Sequence, residues 1–165
     1  MNIAFDIVIV LLLIALNGVF AMSELALVSA NRTRLAVLER QGLKGAARAR
    51  VLAENPQLFL PTMQVGITMV AILSGVFGGA RVSASLEPVI AAVPALAPFA
   101  PGLSLFVVVV AITYLTIVLG ELVPKQLALR QPERVAAAAA APLALLARIT
   151  GPVVFVLSAS SGAVL

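Results

Sequence analysis

Cysteine, histidine and tryptophan are missing from this chain, and tyrosine occurs once. Without cysteine there is no disulfide, no thiolate metal site and no thiol redox chemistry. Without histidine, the commonest transition-metal ligand and the commonest general base are gone. Charge is scarce as well: Asp, Glu, Lys and Arg make up 11% of the residues, against 62% hydrophobic ones. Soluble domains usually carry about 25% charge and about 45–50% apolar residues. Here the apolar residues come in blocks, several of which reach the roughly 20 residues that cross a bilayer. The chain reads as an all-α membrane protein. It does not read as an enzyme, because the blocks hold no Ser/Lys pair placed for nucleophilic chemistry. The formal net charge of +4 does not point to nucleic acid, because the cations sit beside apolar blocks. They act as topology signals and as contacts to membrane lipid.

Four apolar blocks are present. The first, residues 3–30, opens with Asp6 where a cleaved signal peptide would carry cations, and it runs too long for one. A polar stretch, 31–55, follows with Arg32, Arg34, Arg40, Lys44, Arg48 and Arg50 against Glu39 and Glu54. Its apolar positions recur at helical spacing, which predicts an amphipathic helix on the membrane surface. The second block is 59–80. A connector, 81–102, holds Arg81, Glu87, Pro88, Pro94, Pro98 and Pro101, a proline density that predicts short broken helices. The third block is 103–123. The last, 135–163, is interrupted by Pro142, Arg148 and Gly151-Pro152, which predicts a kinked helix along the cytoplasmic interface, with a fourth span as the alternative. Cations in 31–55 and at Lys125, Arg130 and Arg134 place those stretches in the cytoplasm. The expectation is a multi-pass protein of a bacterial-type inner membrane, with three spans and its N-terminus outside.

The chemistry concentrates at the end of the third block, in Gly120-Glu121-Leu122-Val123-Pro124-Lys125. A carboxylate at this depth costs about 2.5–3.5 kcal/mol on insertion scales, so it is a functional candidate by default. Pro124 lacks an N–H, and in a helix it leaves the Gly120 carbonyl, four residues back, without its donor. A carbonyl beside a carboxylate is an all-oxygen corner suited to a hard cation. The plain alternative is a boundary carboxylate paired with Lys125 at i+4. In the first block Asn17 and Glu24 share a helical face, with Ser23 beside them. The second block is rich in small and hydroxyl residues, including Gly66, Thr68 and Ser74. Its Gly75 and Gly79 form a GxxxG pattern that allows close helix packing.

Three motifs together resemble the transmembrane domain of the CorC/CNNM family of magnesium-transport proteins. They are Asn17-Gly18-Val19-Phe20-Ala21-Met22-Ser23-Glu24-Leu25-Ala26-Leu27, Gln64-Val65-Gly66 and Gly120-Glu121-Leu122-Val123-Pro124-Lys125. The resemblance implies a homodimer of three-span protomers with a juxtamembrane belt, and a dehydrated Mg²⁺ in a cytoplasm-facing cavity. Ser23, Glu121 and the Gly120 carbonyl match family ion-site positions, and Pro124 matches a helix-distorting proline. Asn17, Glu24, Gly66, Thr68 and Ser74 are supporting residues, and Gly75 and Gly79 the candidate dimer packing. Family members continue into ATP-binding CBS domains and a small C-terminal domain, so the chain reads as the membrane part, with ATP reached only through those absent domains. One departure stands out: Ile67-Thr68-Met69-Val70-Ala71 follows Gly66 where family members carry Asn. Mg²⁺ and Na⁺ therefore both remain candidate ions. The implied function is Mg²⁺ efflux, with Na⁺ as the candidate coupling ion. The alternative is a non-transporting anchor and dimerisation module for cytoplasmic CBS sensors.

Overall fold

The structure is a computed structural model that describes residues 3–164, apart from the side chains at 58, 158 and 161–164. Every regular element in it is helical. In chain order they are α1 (Ile3–Ser29), α2 (Arg32–Arg40), α3 (Ala46–Glu54), α4 (Leu60–Phe77), α5 (Ser83–Ala91), α6 (Ala100–Ile117), α7 (Val123–Arg130) and α8 (Pro132–Val164). Two π turns, Gly78–Val82 and Val118–Leu122, join α4 to α5 and α6 to α7 without breaking the helical path. Four helical segments are long and apolar enough to cross a membrane: Ile3–Ser29, Leu60–Ala91, Ala97–Arg130 and Pro132–Leu157.

The chain divides into two compact units. The first comprises Met1–Val19 and Thr68–Val123. Its buried residues combine Val10, Ile14, Val70 and Val108 with small ones such as Ala100, Ser74 and Ser104. A side chain at Gly78 would run into Ile112 of α6, and one at Gly79 would meet Leu105 at 3.6 Å. Asp6, 6% exposed, is paired with Arg81 at 3.3 Å, and the Arg81 guanidinium lies over the Phe77 ring. The proline-rich connector differs from the expectation of broken helices, because the second helical path continues to Ala91 with Pro88 inside it. Serine hydroxyls support the carbonyls there: Ser83 donates to Gly79 and Ser85 to Arg81. Only residues 92–96 depart from helix before the short 3₁₀ turn at Ala97–Phe99.

The second unit comprises Phe20–Ile67 and Pro124–Leu165. Stretch 31–55 is a hairpin of two helices here, in place of the single amphipathic helix expected. Gly42 and Gly45 adopt positive φ of 82° and 86°, which ends α2 and turns the chain back. Asn31 caps α2 by accepting from the N–H groups of Thr33 and Arg34 at 2.9 and 3.2 Å. Arg50 bridges the hairpin to Glu39 at 3.0 Å and to Glu54 at 3.2 Å, which raises its already high pKa. Ala46, Ala49 and Ala53 of α3 and Ala136, Ala137 and Ala140 of α8 are all buried, so the two helices approach closely. Gly45 is required for that approach, since a Cβ there would fall on the Ala137 carbonyl oxygen. The last block forms one helix, α8, which runs for 33 residues with Pro142 and Pro152 inside it. A proline removes one hydrogen bond from a ladder that long, and its neighbours hold the rest.

Candidate cation site

The site begins with a widened turn. Val123 donates its N–H to Val118, five residues back, where a regular helix would reach four. Pro124 then has no N–H to offer Gly120. Such π turns recur at functional positions because they push a carbonyl off the regular ladder. The first π turn manages the same geometry locally: Ser83 sends its N–H to Gly78 and its hydroxyl to Gly79. No hydroxyl lies within Val118–Leu122. There the Gly120 carbonyl accepts from Asn17 Nδ2 of α1 at 3.1 Å.

The approach at Gly120 is tight. A Cβ on Gly120 would stand 3.2 Å from Asn17 Nδ2 and 3.3 Å from the Ile14 carbonyl oxygen. Asn17 is itself 5% exposed, and its Oδ1 is buried with no hydrogen-bond partner among the described residues. An unpaired buried acceptor costs about 1–3 kcal/mol. The first unit thus gathers two neutral oxygens, Gly120 O and Asn17 Oδ1, with the carboxylate of Glu121 on the adjacent residue. Glu121 lies on the exposed surface of the chain. No three His, Cys, Asp or Glu side chains cluster as a metal centre among the described residues. The available chemistry is one carboxylate plus neutral oxygens, which suits an ion that keeps part of its water shell.

The other expected residues are distributed as follows. Thr68 is exposed, and Ser74 is buried with its hydroxyl donated to Val70 of its own helix at 2.9 Å. Gly75 has open space around it within the chain, whereas Gly79 faces Leu105. In the second unit Ser23 is 3% exposed and Glu24 is half-buried. Pro124 is buried there. Gly66 lies against Phe20, whose ring a Cβ would approach to 3.2 Å, so packing accounts for this glycine. Sequence reasoning missed the Asn17–Gly120 contact, the Asp6–Arg81 pair and the seating of Ile112 against Gly78. The first two join partners far apart in sequence. The Gly78-Gly79 doublet was the one local signal for the third.

Comparison with known proteins follows the same lines. Residues 7–165 match the cyclin M transmembrane N-terminal domain, CNNM. The UPF0053 protein sll0260 of Synechocystis is 44% identical over 156 residues, 94% of this chain and 35% of that protein. The UPF0053 protein YhdP of Bacillus subtilis is 30% identical over the same shares. The polyamine export protein of Escherichia coli K12 is 37% identical over 78 residues, 47% of this chain and 17% of that protein. The chain spans about a third of the length of the first two relatives. A helical chain with four membrane-length segments, matched in this way over nearly all its residues, belongs to the CNNM transmembrane domain family.

Proposed function

We propose that this domain moves Mg²⁺ out of the cell, with Na⁺ as the coupling ion, using Glu121 for charge and the Gly120 carbonyl and Ser23 hydroxyl for neutral coordination. One observation carries the reading. The Gly120 carbonyl, displaced by a π turn and Pro124, is held by a side chain from another helix, so a cation can compete for it. Asn17 then supplies the amide oxygen that the segment after Gly66 lacks. Glu24 braces the Ser23 end of α1, and the distorted α6–α7 path is the moving element. The domain is read as a homodimer, with Gly75, open within its own chain, as candidate packing between the two copies. The helix α8 is read as a belt on the cytoplasmic face, because its first turns pack on the charged α2–α3 hairpin. This orientation puts the N-terminus outside.

The test is ion flux in liposomes loaded separately with Mg²⁺, Na⁺ and spermidine. The last is included because one relative is a polyamine export protein. The expected result is Mg²⁺ flux that Glu121→Ala abolishes while the dimer persists. Unchanged flux in that variant would sink the assignment, and spermidine flux alone would rename the substrate. Gly75, open within its own chain, favours a second reading in which the domain is chiefly a dimerising anchor. That reading requires Gly75→Leu with Gly79→Leu to abolish dimerisation while wild-type vesicles show no flux of any cation.

A further inference from the structure

A second candidate site lies wholly within the second unit. A cavity of about 470 Å³ opens between α2, the end of α7 and the start of α8. Arg34, Arg130 and Arg134 line it, with Glu133 as its acid. That carboxylate is already engaged, accepting the Asn31 N–H at 3.3 Å and facing Arg34 at 3.8 Å. Arg130 and Arg134 form no ion pair among the described residues. Two uncompensated guanidinium groups converging on a cavity of that size are a receptor for an oxyanion, since each offers a planar fork of donors to phosphate.

The position of the cavity selects the source of that phosphate. Arg130 ends the membrane-length segment Ala97–Arg130, a short way past the apolar block that closes at residue 123, and this position favours the headgroup layer as the surroundings of the cavity. Val37 and Leu38 form an apolar wall beside the arginines, suited to the glycerol backbone and first methylenes of a lipid. We propose that this cavity binds the phosphodiester headgroup of an anionic phospholipid, and that the bound lipid clamps the α2–α3 hairpin to the α7–α8 junction. Basic pockets at the ends of membrane helices bind anionic headgroups by the same combination of charge and interfacial depth.

The experiment is a melting titration of the full chain in neutral detergent. The probes are dihexanoylphosphatidylglycerol, dihexanoylphosphatidylcholine and inorganic phosphate, applied to wild type, Arg130→Gln/Arg134→Gln and Arg48→Gln. Arg48 lines a different cavity, and Arg48→Gln is the charge-matched control for Arg130→Gln alone, which is titrated beside the double variant. Circular dichroism verifies that each variant keeps its helix content, and Arg130→Gln alone serves if the double variant does not. The expected result is a saturable stabilisation by phosphatidylglycerol, absent with phosphatidylcholine and at least tenfold weaker in the pocket variant, with Arg48→Gln unchanged. Equal affinity in the pocket variant, equal loss in Arg48→Gln, or no stabilisation would overturn the site. Inorganic phosphate binding as tightly as phosphatidylglycerol would overturn the lipid source. None of these readouts depends on ion flux, so the outcome is separate from that of the transport reading.

Discussion

Asn17 holds Gly120 through a side-chain hydrogen bond of 3.1 Å that joins residues 103 positions apart. The contact ties the middle of α1 to the π turn that precedes α7, and it leaves Asn17 Oδ1 buried beside the carbonyl it caps. Removing the amide exposes the tension in this arrangement. Asn17→Ala removes one orphaned acceptor but leaves the buried Gly120 carbonyl without its Asn17 donor, so the two effects partly offset and the net cost to stability is expected to be about 1 kcal/mol. Asn17→Leu loses the same groups while keeping the bulk. If both variants melt near wild type yet lose Mg²⁺-induced stabilisation, Asn17 acts on the ion. A large melting loss without change in Mg²⁺ response assigns it to packing.

The two glycine positions separate close approach from open surface. Gly120→Ala forces a Cβ to 3.2 Å from Asn17 Nδ2 and should destabilise the chain by about 1–3 kcal/mol. Gly75→Ala meets nothing within the chain and should leave monomer stability within about 0.5 kcal/mol or improve it. Melting of both variants at equal protein concentration checks the contrast.

The Asp6–Arg81 pair should fail asymmetrically. Asp6 has 8% side-chain exposure and Arg81 43%, so removing the arginine strands a buried carboxylate while removing the acid leaves a guanidinium that reaches solvent. Arg81→Gln is expected to cost more than Asp6→Asn, by about 1–2 kcal/mol. A denaturation series on the two single variants measures this, and equal losses would contradict it.

Two glycines with nearly the same φ should respond differently to alanine. Gly42 at 82° has open space, so Gly42→Ala carries the left-handed backbone penalty alone, about 1–2 kcal/mol. Gly45 at 86° also abuts the Ala137 carbonyl, and Gly45→Ala should cost clearly more because α3 must move off α8. Proteolysis within the α2–α3 hairpin, compared between the variants, reports the displacement.

The absence of native cysteine makes topology directly measurable. Ser160→Cys places a lone thiol on an exposed position near the end of α8. Under the belt reading, a membrane-impermeant maleimide added to intact cells leaves it unlabelled, and permeabilised cells label fully. Labelling from outside would establish α8 as a fourth span.

Legibility followed range along the chain. Hydropathy blocks, the cation-rich stretch and the Gly120-Glu121-Pro124 corner were readable because each depends on neighbouring residues: a run of apolar side chains, or a proline that denies one donor. The fate of Pro88 and Pro152 was not readable. A proline states which hydrogen bond is lost, while the bonds around it decide whether the helix survives the loss. The split of 31–55 into a hairpin was half visible, since Gly42 and Gly45 were present but their positive φ follows from α3 docking against the alanines of α8.

The sequence by itself determined that this is a helical membrane domain of the CNNM family, where its apolar segments fall and which carboxylate stands in their midst. Those properties are set by composition and by interactions within a few residues. Only the tertiary structure decided that the Gly120 carbonyl goes to Asn17, that Asp6 meets Arg81, and that Arg34, Arg130 and Arg134 share one cavity. Each of these contacts closes a long loop, and which loops close depends on how small residues let helices approach, which no local pattern specifies.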